Sequence, residues 1–161
     1  MIKPVIRYGA NIWTSTSKGN INSIFKLQKR VARNILDAEP RSRSVPLFNS
    51  LNWIPFYHES YAIRCSLLLK RILGRTPVYL KQTLKLNSDA HNRRTHFSNL
   101  NFNCPRCKNL KTEGGRTFTV RSIKEWNKLD KDLKELKNAK ALKKKFINNL
   151  LSKQNSNMNF L

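Results

Sequence analysis

Acidic residues are scarce in this chain of 161 residues: nine Asp and Glu stand against 32 Lys and Arg, for a net charge of +23. The first acid is Asp37, and none follows Glu135. There is no Asp-Asp pair anywhere, and the closest two aspartates, Asp130 and Asp132, sit among lysines. That scarcity argues against phosphoryl-transfer chemistry of the two-metal kind, which needs clustered carboxylates to hold its ions. Asp130 and Asp132 read instead as surface salt-bridging residues. Cysteines number three, an odd count in a chain with no stretch resembling a secretory signal. A disulfide framework is therefore not expected, and an intracellular, reducing location, nuclear or cytoplasmic, is. No apolar run approaches the ~20 residues of a membrane span. No serine or cysteine pairs with a histidine in a recognisable nucleophile–base pattern, His58 included. These absences together point away from an enzyme.

What is abundant is positive charge. A compact body this basic repels itself, so a polyanionic partner is the natural explanation. The cations are spread along the chain, which suits a long phosphate backbone better than a small anion. Hydrophobic content of 39% allows a core, and a chain of this length buries roughly 68–70% of its unfolded surface.

Apolar periodicity predicts a mainly α-helical domain of about five to seven helices. A short helix is expected over 4–13. The clearest spans 18–36, with Ile21, Ile24, Phe25, Val31, Ala32 and Ile35 on one arc. Lys26, Lys29, Arg30 and Arg33 occupy the opposite arc with no acid between them, an arrangement suited to phosphate contact. Gln28 falls on the apolar arc, where a buried amide must find partners, and a neighbouring loop backbone is the expected one. Ser44 is a candidate N-cap for a helix through about Leu51. Pro55 begins a helix to about Leu73 with Tyr57, Tyr61, Cys65, Leu68, Leu69 and Ile72 as its stripe, closed by Gly74. Thr76-Pro77 starts a short helix through about Leu84.

Residues 87–115 lack helical periodicity and read as a long loop. At most one two-stranded β element is expected, with a strand near 100–103 pairing with 116–120. A helix then starts near Arg121 or Ser122, with Ile123, Trp126, Leu129, Leu133 and Leu136 on one side. A last helix covers 139–152, with Leu142, Phe146, Ile147 and Leu150 inward and Lys140, Lys143, Lys144 and Lys145 largely outward. Residues from Gln154 to Leu161 are expected as a loose tail. Trp13, Trp53 and Trp126 are expected in the core rather than as stacking platforms.

Cys104-Pro105-Arg106-Cys107 is a zinc half-site that His91 and His96 could complete. The usual order puts Cys-x-x-Cys first, and the favoured reading leaves Cys104 and Cys107 as unconnected thiols, with no cofactor. Cys65, on an apolar stripe, is core.

The motifs in their order are similar to one known family. Gly-x-Arg-x-Phe-x-x-Arg, ending at Arg121, followed by Trp126-Asn127-Lys128-Leu129 resembles the C-terminal segment of the reverse transcriptases of non-LTR (LINE and jockey-like) retrotransposons. Asp130 stands where that family usually has proline. Leu27-Gln28 with Arg30 and Arg33 resembles the family's Leu-Gln-x-Arg-x-x-Arg signature. Leu51-Asn52-Trp53-Ile54-Pro55 resembles its Leu-Gly-Trp-Leu-Pro junction, and Thr76-Pro77-Val78-Tyr79-Leu80 its Ala-Pro-x-Tyr-Leu. His91-Asn92-Arg93-Arg94 and Pro105-Arg106 have counterparts as well, so the resemblance covers about residues 5–150. It implies a region downstream of the catalytic palm of an RNA-directed DNA polymerase, one that holds template RNA or target DNA without polymerising. It also implies that residues 1–86 are a thumb-like helical part, 87–120 a loop-rich linker with the short strands, 121–153 the Trp helix and basic helix, and 154–161 the tail. Phosphate contacts are expected at Arg7, Lys26, Lys29, Arg30 and Arg33, then at Arg93, Arg94, Arg106 and Arg116. The remainder of a reverse transcriptase would be a partner, and no membrane is. Two alternatives stay open: a zinc-dependent nucleic-acid-binding module, and a decayed element copy with no activity.

Overall fold

The computed structural model describes residues 7–10, 14, 16–82, 84–87, 100–106 and 117–156. These residues are mainly helical, as the periodicity predicts. In chain order the helices are α1 (Lys18–Ile35), α2 (Ser44–Ser50), α3 (Phe56–Ile72), α4 (Val78–Gln82), α5 (Phe118–Asn127), α6 (Lys131–Lys134) and α7 (Ala139–Ser156). No helix among the described residues is long and apolar enough to cross a membrane. The chain divides into two compact units, one of residues 1–62 with 144–161 and one of residues 63–143. Both cuts fall inside helices, α3 and α7.

In the first unit, α1 starts where the Ser17 hydroxyl accepts the Asn20 N–H at 3.4 Å, satisfying one of the amide donors orphaned at a helix start. It buries Ile21 and Ala32. Phe25 meets Phe48 of α2 and Tyr57 of α3 edge-on, with ring centroids 6.0 and 5.4 Å apart. Asp37 takes the left-handed conformation just past α1, at φ 47°, and the Ala38 N–H closes on the Arg33 carbonyl. The expectation for Gln28 holds in detail. Its Nε2 donates to the Ile54 carbonyl at 2.9 Å and its Oε1 accepts the Phe56 N–H at 2.8 Å. One buried amide thus ties α1 to the junction that launches α3. At α2 the cap position is Arg43, one residue before the expected Ser44, and no side chain bonds there.

In the second unit, α3 contributes Cys65, Leu68 and Leu69, α5 Val120, Ile123 and Trp126, α6 Leu133 and α7 Leu142, all buried. Gly74, at φ 68°, ends α3, with its N–H on the Arg71 carbonyl and the Arg75 N–H on the Lys70 carbonyl.

Two expectations are corrected here. The strand over 116–120 is absent in its described part: Phe118, Thr119 and Val120 are the first turn of α5. Their β-branched and aromatic content suits a strand, but Val120 extends the three-and-four spacing of Ile123 and Trp126, and burial of that face decides the conformation. Residues around Phe102 do pair, but with 85–87. Leu86 and Phe102 form an antiparallel bridge in which the Asn87 N–H donates to the Asn101 carbonyl at 3.0 Å and the Asn103 N–H to the Lys85 carbonyl at 2.8 Å. The Trp helix stops at Asn127 without the family's proline; Asp130, in extended backbone, begins α6. Of the segment expected as a helix over 4–13, only 7–10 lie within the described residues; of the loose tail expected over 154–161, residues 154–156 are instead the end of α7, and 157–161 lie outside the described residues.

Candidate nucleic-acid interface

The basic arc of α1 divides on inspection of its contacts. Lys26 and Arg30 are exposed, one helical turn apart, and Leu27 beside them is 59% exposed. Lys29 is half-buried, its Nζ 4.8 Å from the centroid of the Phe25 ring, a cation–π contact. Arg33 has a task inside the fold, because its Nη2 donates to the Ser42 carbonyl at 3.0 Å and so holds the turn between α1 and α2. The outward set on α1 is Lys26, Lys29 and Arg30, while Arg33 also braces the turn.

Arg7 has a task inside the fold too. Its guanidinium pairs with Glu59, which is only 3% exposed. A carboxylate that far from water needs a cationic partner, and Arg7 supplies it. Arg106 is exposed. Arg93, Arg94 and Arg116 lie outside the described residues.

Four further cations, which the sequence reading left among the surface charges or did not single out, are working parts of the second unit. Arg64, 1% exposed, grips Glu125 with two bonds of 2.6 Å, from Nε and Nη2. Arg121 donates to the same carboxylate at 3.3 Å. Burial lowers the Arg121 pKa, the Arg64 charge lowers it further and Glu125 opposes both; arginine remains charged regardless. Arg71 is buried, donates to the Leu80 carbonyl at 2.7 Å and lies 5.9 Å from the Phe118 ring centroid. Lys134 is buried, with Nζ bonds to Asn101 Oδ1 at 2.9 Å and to the Asn127 carbonyl at 3.0 Å. Burial also lowers the Lys134 pKa, against the opposing charge of Asp130. The sequence held one signal for this network: Glu125 is a lone acid on an apolar-striped helix.

The Trp-Asn motif has a structural task as well. The Trp126 indole N–H donates to the Leu100 carbonyl at 3.0 Å. Asn127 accepts the Phe102 N–H at 3.0 Å and donates to the Phe102 carbonyl at 2.9 Å, imitating a neighbouring strand. With Trp126 buried, base stacking is not open to it.

Among the described residues no group of three or more His, Cys, Asp or Glu could hold a metal. Cys104 Sγ lies 4.0 Å from the Val120 carbonyl; Cys107, His91 and His96 lie outside the described residues. Cys65 is fully buried, and burial pushes its thiol well above the ordinary range, as befits a core side chain. Asp130 and Asp132 are exposed, and among the described residues neither joins an ion pair; the pair in that region is Lys131 with Glu135 at 3.7 Å.

No family model, curated protein or solved structure matches this chain.

Proposed function

We propose that this chain is a non-catalytic nucleic-acid-binding module that takes RNA or DNA by its phosphate backbone, equivalent to the region downstream of the palm in a non-LTR retrotransposon reverse transcriptase. The family reading rests on the order of the sequence motifs. The binding reading is carried by the outward set Lys26, Lys29 and Arg30 on α1, in a stretch without acid, on a chain of net charge +23. Phosphate contacts of this kind position a nucleic acid without reading its sequence.

The test replaces Lys26, Lys29 and Arg30 by Gln together. Of the three only Lys29 touches the apolar arc, over the Phe25 ring, and Gln is a good helix former, so folding should be preserved. Affinity should fall similarly for unrelated sequences. The log–log salt slope should become shallower by roughly three on duplex DNA and by roughly two on single strands. A control variant with Lys140, Lys144 and Lys145 changed to Gln matches the charge. Equal losses in both variants would remove the claim of α1 to be the binding face.

A further inference from the structure

We infer that Tyr79 is a stacking platform for an unpaired base, so that the chain prefers single-stranded to duplex nucleic acid at this point of its surface. The inference rests on the nucleic-acid reading above and deepens it.

Tyr79 and Val78 form the outer side of the first turn of α4, at 66% and 71% exposure, the highest of any large apolar side chain among the described residues of the second unit. Isolated exposed apolar residues are ordinary. This one differs in its mounting and its surroundings. Its helix is short, yet it is fixed from beneath, because buried Arg71 of α3 donates to the carbonyl of Leu80, the residue after Tyr79. The approach to α4 is fixed as well. Gly74 turns the chain out of α3 through the bonds to Arg71 and Lys70, and the Leu80 N–H closes on the Pro77 carbonyl. A ring presented on a fixed backbone loses little freedom when a base lands on it.

The surroundings name the occupant. From Ser60 to Ser88 the sequence contains no Asp or Glu. Arg64 and Arg71 are consumed by the fold, and among the described side chains Lys70 before the turn, Arg75 within it and Lys85 after α4 are exposed cations that flank Tyr79 in the sequence. An apolar protein partner would gain nothing from these charges, and an acidic one would not need the ring. A single strand offers both phosphates for the cations and a base face for the tyrosine, the combination that sequence-tolerant single-strand binders use. Duplex DNA keeps its bases stacked on each other and can meet only the cations.

The experiment compares the full chain with Tyr79→Ala, Tyr79→Phe and Arg75→Gln/Lys85→Gln, using labelled oligo(dT), oligo(rA) and a duplex of matched length. Tyr79→Ala should weaken single-strand binding by about five-fold to about 150-fold, the range that one base–aromatic stack represents. It should change duplex binding less than about two-fold and leave the salt slope unaltered, since no phosphate contact is removed. Tyr79→Phe should restore single-strand binding. Arg75→Gln/Lys85→Gln should weaken both forms and make both slopes shallower. Equal loss on single strands and duplex, or no loss, in a Tyr79→Ala chain that binds with normal salt dependence would overturn the stacking role and leave the phosphate reading standing. Failure of the unaltered chain to bind any of the three probes would overturn both. Circular dichroism should be the same for all variants, because the substituted side chains are exposed.

Discussion

At the scale of single residues, the costliest side chains to alter are those whose charge is out of water. Arg64 and Glu125 are paired through two bonds, so Glu125→Ala would take the carboxylate from a guanidinium that is 1% exposed. We expect a loss of about 3–5 kcal/mol by urea denaturation. Arg64→Met/Glu125→Met should recover much of it, since an apolar pair of similar volume can replace a buried ion pair. His58 carries a different expectation. Burial lowers its pKa, so the folded state resists protonation more than the unfolded chain does. Its contribution is intact above the ordinary histidine pKa of about 6.5 and is lost as the pH falls below it towards the lowered value. His58→Asn should flatten the acid side of the stability profile between pH 7.5 and 5, and an unchanged slope would assign that slope to other groups. Which lysines and arginines do internal work was not legible in the sequence. Arg64 and Arg71 look like any helix-surface cations until Glu125 and the Leu80 carbonyl arrive from distant positions. Gln28 was legible because an amide on an apolar arc has to bond something, and the nearest loop was within reach.

At the scale of elements, two amides join pieces that apolar packing alone would leave loosely registered. Gln28→Leu keeps the volume of α1 but orphans the Ile54 carbonyl and the Phe56 N–H. A loss of about 1–3 kcal/mol is expected in thermal or chemical unfolding. Asn127→Ala should release the residues around Phe102. Hydrogen exchange at the Phe102 and Asn103 amides should then accelerate while the amides of α3 keep their protection. Uniform acceleration would mean that Asn127 supports the whole unit. Helix positions were readable because α1, α3 and α7 repeat apolar residues at threes and fours over long spans. The error at 116–120 came from a short window, in which Phe118, Thr119 and Val120 look like a strand until Ile123 and Trp126 set their period. The partner of residue 102 was not readable at all, since neither 85–87 nor 100–103 has enough alternation to declare its neighbour.

At the scale of the whole molecule, a net charge of +23 acts on stability before any ligand is present. Lowering the salt from about 0.15 M to about 0.01 M lengthens the screening distance from about 8 Å to about 30 Å, so the cations repel each other across most of the surface. The Tm should fall over that range and rise again when a short polyanion is added, through screening and mass action together. A Tm indifferent to both would mean that the charges are already locally compensated. The same charge keeps copies of the chain apart in solution, and on the binding reading proposed above a long nucleic acid would gather many of them and cancel their repulsion. The antiparallel bridge at Leu86 and Phe102 then becomes a hazard, because an open strand edge recruits another. At Phe102 that place is taken: its N–H and carbonyl both face the Asn127 side chain. The amide that finishes a fold in the lone molecule would thereby act as a stopper in such a crowd, letting neighbours share one polymer without zipping into each other.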